Sequence, residues 1–196
     1  MKKVFLLLMM SLPVLSGCAE SASLVKTASN GMRSDVFQEL SNASMVPQGY
    51  ADLRIVSSLK THKPGIYPFE EKLHGTSEYR MLVNIDGQAL QLQADLQREN
   101  MVPGALRVPE AGDGIRYRFS KSVRLKTGTH RITVALPDDK IAIEREITLS
   151  DESGNSLVVE PVYGASRDKQ RPGFYGVTSF KEGLRGARLI LNGQVL

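Results

Sequence analysis

The sequence predicts an all-β protein, an antiparallel β-sandwich of about seven to nine short strands. Three observations carry that expectation. Apolar and polar residues alternate in run after run from residue 50 onward, turn-forming dipeptides separate the runs, and no long helical period interrupts them. Strands of this kind bury one face each and pack as two sheets.

The runs follow in order. Ala51, Leu53, Ile55 and Leu59 share one face, with Asp52, Arg54 and Lys60 on the other. Tyr79, Met81, Val83 and Ile85 alternate with Arg80 and Asn84, then Asp86-Gly87 leads into Leu90, Leu92, Ala94 and Leu96. An Asp-Gly between alternating runs is a strong hairpin signal, because a type I′ turn needs positive φ at both central residues. Ile115, Tyr117, Phe119, Val123 and Leu125 make the next strand, opposite Arg116, Arg118 and Arg124. Ile132, Val134 and Leu136 follow, closed by Pro137 and an Asp-Asp turn. Ile141, Ile143, Ile147 and Leu149 come next, and Leu157, Val159 and Tyr163 follow a polar turn at 150–155. A last pair, 187–191 and 194–196, surrounds Asn192-Gly193. The stretch 188–196 echoes 80–90, as two hairpins converging on one turn chemistry would.

The N-terminus is different. Lys2 and Lys3 precede an apolar run from Val4 to Leu15, too short for a bilayer-spanning helix of roughly 20 residues. Small residues Ser16 and Gly17 then lead directly to Cys18, the only cysteine in the chain. This order is that of a secretory signal peptide, and Leu15-Ser16-Gly17-Cys18 resembles the lipobox of bacterial lipoproteins. The resemblance implies that residues 1–17 are removed and that Cys18 becomes the acylated first residue, anchoring the protein to the membrane. A plain signal peptide with a chance cysteine is the alternative. Acylation would consume the thiol, so a disulfide, a thiolate nucleophile and a thiolate metal ligand are all excluded. Ala19, rather than Asp, follows the cysteine, which by the same resemblance points to the outer membrane, facing the periplasm. Residues 18–48 are rich in Ser, Ala, Asn and Thr and read as a lipidated tether, with Ser34–Leu40 able to form two helical turns. The folded domain is expected over 49–196.

Removing residues 1–17 takes away Lys2 and Lys3 but no acid, lowering the formal net charge from +4 to +2. Basicity is therefore a poor argument for nucleic acid as a partner. An apolar content of 41 % without tryptophan suits one globular domain.

Leu125, Gly128, His130, Ile132, Val134 and Pro137 within the stretch 123–137 resemble the PEGA family of small β-sandwich modules in bacterial envelope proteins. Asp138 and Asp139 stand where that family has Gly-Tyr. The resemblance implies an immunoglobulin-like or transthyretin-like sandwich and a non-enzymatic role.

Candidate chemistry is sparse. His62 and His74 share a loop with Glu70 and Glu71, but no close His spacing of the zinc type occurs, so no metal is expected. His130 has the parity of Ile132 and reads as a packed strand position. No G-x-S-x-G, S-x-x-K or phosphate-binding glycine loop appears, so neither an enzyme nor a cofactor is expected. Asp138-Asp139 and Asp151-Glu152 fall in turns, where Asp is favoured. Arg116, Arg118, Arg124 and Arg131 read as a solvated sheet face, paired with Glu144 and Glu146. The long loops 97–114 and 164–186 stand out. In the second, Arg167, Lys169 and Arg171 precede Phe174 and Tyr175. Cations and aromatics together suit a protein partner or an anionic polymer, while Phe174, Tyr175 and Phe180 could equally cap an open end of the sandwich. The sequence thus points to a lipid-anchored envelope protein with a structural, assembly or binding role. A carbohydrate- or peptidoglycan-binding module is the first alternative and an unrecognised hydrolase the second.

Overall fold

The computed structural model describes residues 16–41, 45–64, 73–100, 110, 112–150, 154–164, 180 and 183–196. Within them the chain is an all-β sandwich of two sheets with one helix on its outside.

The first sheet is built on β2 (Tyr50–Thr61) and β6 (Gly114–Lys126), antiparallel over the whole 12-residue length of β2, from Tyr50 opposite Lys126 to Thr61 opposite Ile115. On its other side β2 pairs in parallel with β9 (Asn155–Tyr163), which continues to β10 (Leu184–Leu191) and β11 (Gln194–Val195). The outer edge of β6 is shared. One half holds β1 (Phe37–Leu40) and the other β5 (Ala94–Glu99). The second sheet runs β4 (Gln88–Leu92), β3 (Met81–Ile85), β7 (Gly128–Leu136), β8 (Ile141–Leu149). Leu53, Ile55, Tyr117 and Phe119 from the first sheet meet Val83, Ile85 and Val134 from the second in one core. These are the inward positions of the alternation, whose two-residue period puts every second side chain on the same face.

The expected hairpin turns form at both Asx-Gly pairs. Asp86 (φ 47°) and Gly87 (φ 93°) join β3 to β4, and Asn192 (φ 50°) and Gly193 (φ 84°) join β10 to β11. His130 is buried as expected, with Nδ1 2.7 Å from Asp86 Oδ2 and Nε2 2.8 Å from the Lys126 carbonyl.

Three expectations are corrected. The alternating run from Leu90 to Leu96 is two strands. The chain turns a corner at Gln93, leaving the second sheet at Leu92 (opposite Met81) and entering the first at Ala94 (opposite Phe119). Parity survives the corner, but Leu96 ends up 41 % exposed on an edge strand. Second, part of Ser34–Leu40 is extended rather than helical. β1 inserts Phe37 into the core, and Gln88 holds it there: its Oε1 accepts from the backbone N–H groups of Val36 (2.8 Å) and Phe37 (3.0 Å), and its Nε2 donates to the Phe37 carbonyl at 3.0 Å. One carboxamide thus copies a strand's hydrogen bonds across the gap between the sheets. Third, residues 19–48 are not simply a tether. Helix α1 (Ser16–Ser29) lies on the outer face of the second sheet, with Val25 and Ala28 packed on Leu82, Ala135 and Ala142. Small side chains on both surfaces allow this close approach. Asn84, one of the polar positions of β3, secures the helix end by donating to the carbonyls of Thr27 (3.1 Å) and Asn30 (3.0 Å).

The sandwich has two unlike poles. Asp86-Gly87, Thr127 and Asn192-Gly193 make one of tight turns. At the other, β2, β5, β7 and β9 end, while β3, β6, β8 and β10 begin, so the chain segments 65–72, 101–109 and 165–179 all start and finish there. Helix α1 runs from this loop pole, where Ser21 borders residues 139–143 and 184–187, to the turn pole beside Gly87.

Replacing Asn84 with Ala removes both bonds to the α1 end. Its unfolding free energy should fall by about 1–2 kcal/mol, with amide exchange accelerated across 16–29 while β2 and β6 stay protected. Uniform acceleration throughout the chain would show that α1 is not held separately.

Candidate functional site

Two side-chain networks are buried at the loop pole. The first begins with a conflict in the central ladder: Lys60 on β2 stands directly opposite Arg116 on β6. Like charges facing across a sheet repel. Glu99, the last residue of β5, resolves this. Its Oε2 lies 3.0 Å from Lys60 Nζ, and Arg116 donates through Nε to Oε1 at 2.7 Å and through Nη2 to Oε2 at 3.1 Å. The Lys60 side chain is fully buried, and its ammonium also donates to the carbonyls of Glu110 (3.0 Å) and Gly112 (2.6 Å). All three ammonium donors are thereby engaged. The Phe180 ring lies 5.7 Å from Lys60 Nζ and stands edge-on to Tyr163 at 5.4 Å. Tyr163 in turn accepts from the Lys60 backbone N–H at 2.6 Å. The hydrogen bond from Arg116 holds the Glu99 carboxyl below its ordinary range, with Lys60 assisting against the cost of burial. Donating the same bond to Glu99 drives the Arg116 guanidinium further up. Burial pushes the Tyr163 phenol well above its usual value.

A second network starts one turn further on. His62 follows β2, and the segment carrying His74 folds back on it, because Gly75 (φ 78°) sits so close to Pro64 that a Cβ there would lie 2.4 Å from its ring. The two imidazoles meet with Nδ1 of His74 3.0 Å from Nε2 of His62. His74 Nε2 lies 3.0 Å from Asp139 Oδ1, Tyr79 donates to Asp139 Oδ2 at 2.7 Å, and His62 Nδ1 lies 2.9 Å from the Lys63 carbonyl. A carbonyl and an ionised carboxylate only accept. Every contact along the chain is therefore made when the two imidazoles hold three protons between them. With two, one contact sets lone pair against lone pair. Rings continue the file inward: His74 to Tyr79 at 5.3 Å, Tyr79 to Tyr117 at 4.8 Å, Tyr117 to Phe119 at 6.2 Å. Burial raises the Tyr79 phenol far above its usual value and pushes that of Tyr117 up to about 12.

Chemically, the described side chains of both networks are bonded to one another. Their donors and acceptors meet one another, and among the described residues no group of three or more His, Cys, Asp or Glu is placed to hold a metal ion. What they do is fix the loop bases: Lys60 grips residues 110–112, and the His pair ties 62–64 to 74–75 and to Asp139.

The sequence-predicted candidates distribute unevenly. Cys18 falls in the first turn of α1, at the loop pole. Arg167, Lys169, Arg171, Phe174 and Tyr175 lie outside the described residues, as do Glu70, Glu71, Asp151 and Glu152. The flanks of the segment holding the first five are described, and Gly164 donates to the Gly183 carbonyl at 3.1 Å, closing its base at the loop pole. Phe180 is buried and caps that end of the sandwich. The arginines do not share a patch. Arg116 binds Glu99, Arg124 binds Asp52 at 2.6 Å, Arg118 is exposed, and Arg131 is on the other sheet, 3.9 Å from Glu144. Pairing with Glu144 therefore holds for Arg131 alone, because the other three belong to a different sheet. Sequence reasoning assigned Asp139 to turn chemistry and missed Lys60, Glu99 and Tyr79. The available signal was weak: an acid at the end of β5 and a lysine in the run leading to His62.

The depressed Glu99 carboxyl gives a pH test. Its contribution to stability is present above the ordinary glutamate range and is lost as pH falls through the lower folded value. Urea unfolding over a pH series should therefore show wild-type stability falling under acid conditions, and Glu99→Gln, weaker at neutral pH, should fall less steeply. Parallel curves would remove Glu99 from the acid response.

No protein-family model matches the sequence, and no match appears among curated proteins or solved structures.

Proposed function

We propose that this chain is a lipid-anchored protein of the bacterial cell envelope, held at the outer membrane on the periplasmic side, with a non-enzymatic role in binding or assembly. The observation that carries the reading is the run from Lys2 to Cys18: two cations, a short apolar stretch, and Leu-Ser-Gly-Cys. Once residues 1–17 are removed, acylated Cys18 begins the mature chain, and two or more acyl chains give stable anchoring where one does not. Among the described residues no helix is long and apolar enough to cross a membrane.

Two structural features support a binding role over catalysis. The buried polar groups of the loop pole are engaged with one another and stiffen the bases of three loops, as a scaffold for contact surfaces does. One of those loops carries Arg167, Lys169, Arg171, Phe174 and Tyr175, the residue types that dominate interface energetics. Because α1 brings Cys18 to the same pole, the partner is sought at the membrane surface. A groove of about 600 Å³ near the turn pole, bordered by Asn30, Arg33, His130 and Glu144, offers no Tyr, Phe or Trp face among its described lining residues, where a glycan would stack.

Replacing Cys18 with Ser should abolish incorporation of radiolabelled palmitate and leave the chain unprocessed or released. Label retained by the variant would overturn the anchoring reading. Cross-linking in intact envelopes, followed by mass spectrometry, should recover a membrane-associated partner that is lost when Phe174 and Tyr175 are both Ala.

A further inference from the structure

Beside the first turns of α1, Ser21 borders a groove of about 370 Å³ between the start of β8 and the start of β10. Two exposed cations flank it, Lys140 and Arg185. Each is held in an unusual way. Lys140 has left-handed backbone (φ 56°) as it closes the turn at Pro137–Asp139. Asp86 and Asn192, the other non-glycine residues of positive φ among those described, both occupy Asx-Gly hairpin turns. Lysine has no such turn chemistry to favour it, and strain of this kind concentrates where a side chain is used. Arg185 lays its stem across Gly164, so closely that a Cβ there would lie 2.3 Å from Arg185 Cγ. The acid on the groove, Asp139, is already engaged by His74 and Tyr79. Ser21 is three residues beyond Cys18, roughly 5 Å along a helix axis.

From this juxtaposition we infer that the loop pole around Lys140 and Arg185 rests on the membrane that holds Cys18, the two cations engaging the phosphates of anionic phospholipids. The inference depends on the anchoring proposed above. Acylation supplies the membrane affinity, and the cations set the pose by fixing which pole faces the bilayer. Juxtamembrane Lys and Arg are attracted to anionic headgroups over about a Debye length, a distance that a short docked helix keeps and a long free spacer does not.

The chain has no tryptophan, so single reporters can be placed at will. The lipidated protein is reconstituted into vesicles of phosphatidylethanolamine with a minority of phosphatidylglycerol, carrying brominated acyl chains that quench at short range. Leu184→Trp reports from the groove, with Ile141→Trp as a second groove reporter should the first disturb folding, and Val195→Trp reports from the turn pole. The groove reporters should be quenched several-fold more than Val195→Trp. Lys140→Glu combined with Arg185→Glu should at least halve that difference, as should vesicles of phosphatidylcholine alone. Lys140→Gly should also reduce it without lowering the melting temperature, since glycine suits left-handed backbone. Flotation with the vesicles reads the anchor separately. A chain that floats with equal quenching at both poles, or with quenching indifferent to charge reversal, overturns the docked pose and leaves the anchor standing. A chain that does not float overturns both.

Discussion

The ladder between β2 and β6 carries the rest of the molecule. It supplies the inner face against which the second sheet packs, and its outer edges receive β1, β5 and β9. Its last pairs also create an electrostatic problem that the loop pole must solve, with Lys60 opposite Arg116. Burying two cations side by side is tolerable only with a counter-charge and full hydrogen bonding. Glu99 and the carbonyls of residues 110 and 112 provide these, so the position of β5 and the base of the following loop are both dictated by two residues of the ladder. Specificity of register is a reasonable return for such an arrangement: a slip of one residue would strand a buried charge.

The sandwich was legible because period-two alternation is a local property, written along each strand regardless of its partners. What was not legible depends on partners. The corner at Gln93 preserves parity and so leaves no mark on the pattern. β1 buries Phe37 alone, and its pairing is completed by a carboxamide from position 88, some fifty residues away. Helix α1 docks through Val25 and Ala28, too narrow an apolar stripe to stand out in a segment rich in Ser and Ala. The His62–His74 contact is of the same kind. Twelve residues separate the two rings in sequence, and only the fold-back at Gly75 joins them.

Asp138-Asp139 shows how a correct local reading can still be incomplete. The pair does sit in a turn, as acidic residues in such positions do. Yet Asp139 is also the carboxylate on which His74 and a buried tyrosine converge. A turn side chain that points inward is indistinguishable in sequence from one that points to water. The functional consequence is a division of labour between poles, with tight self-sufficient turns at one end and braced loop bases at the other.

The docked α1 has a mechanical corollary. Its hold on the second sheet is a handful of small side chains and the clasp from Asn84, far weaker than the ladders behind it. Under tension between an anchored N-terminus and a load on the body, this contact yields first. Residues 18–29 would then pay out to roughly 40 Å when fully extended, against about 18 Å for the same residues held in the helix. On the proposed anchoring at Cys18, the element that keeps the domain close to the membrane is thus also a slack reserve, giving the anchor two lengths with the sandwich intact in both.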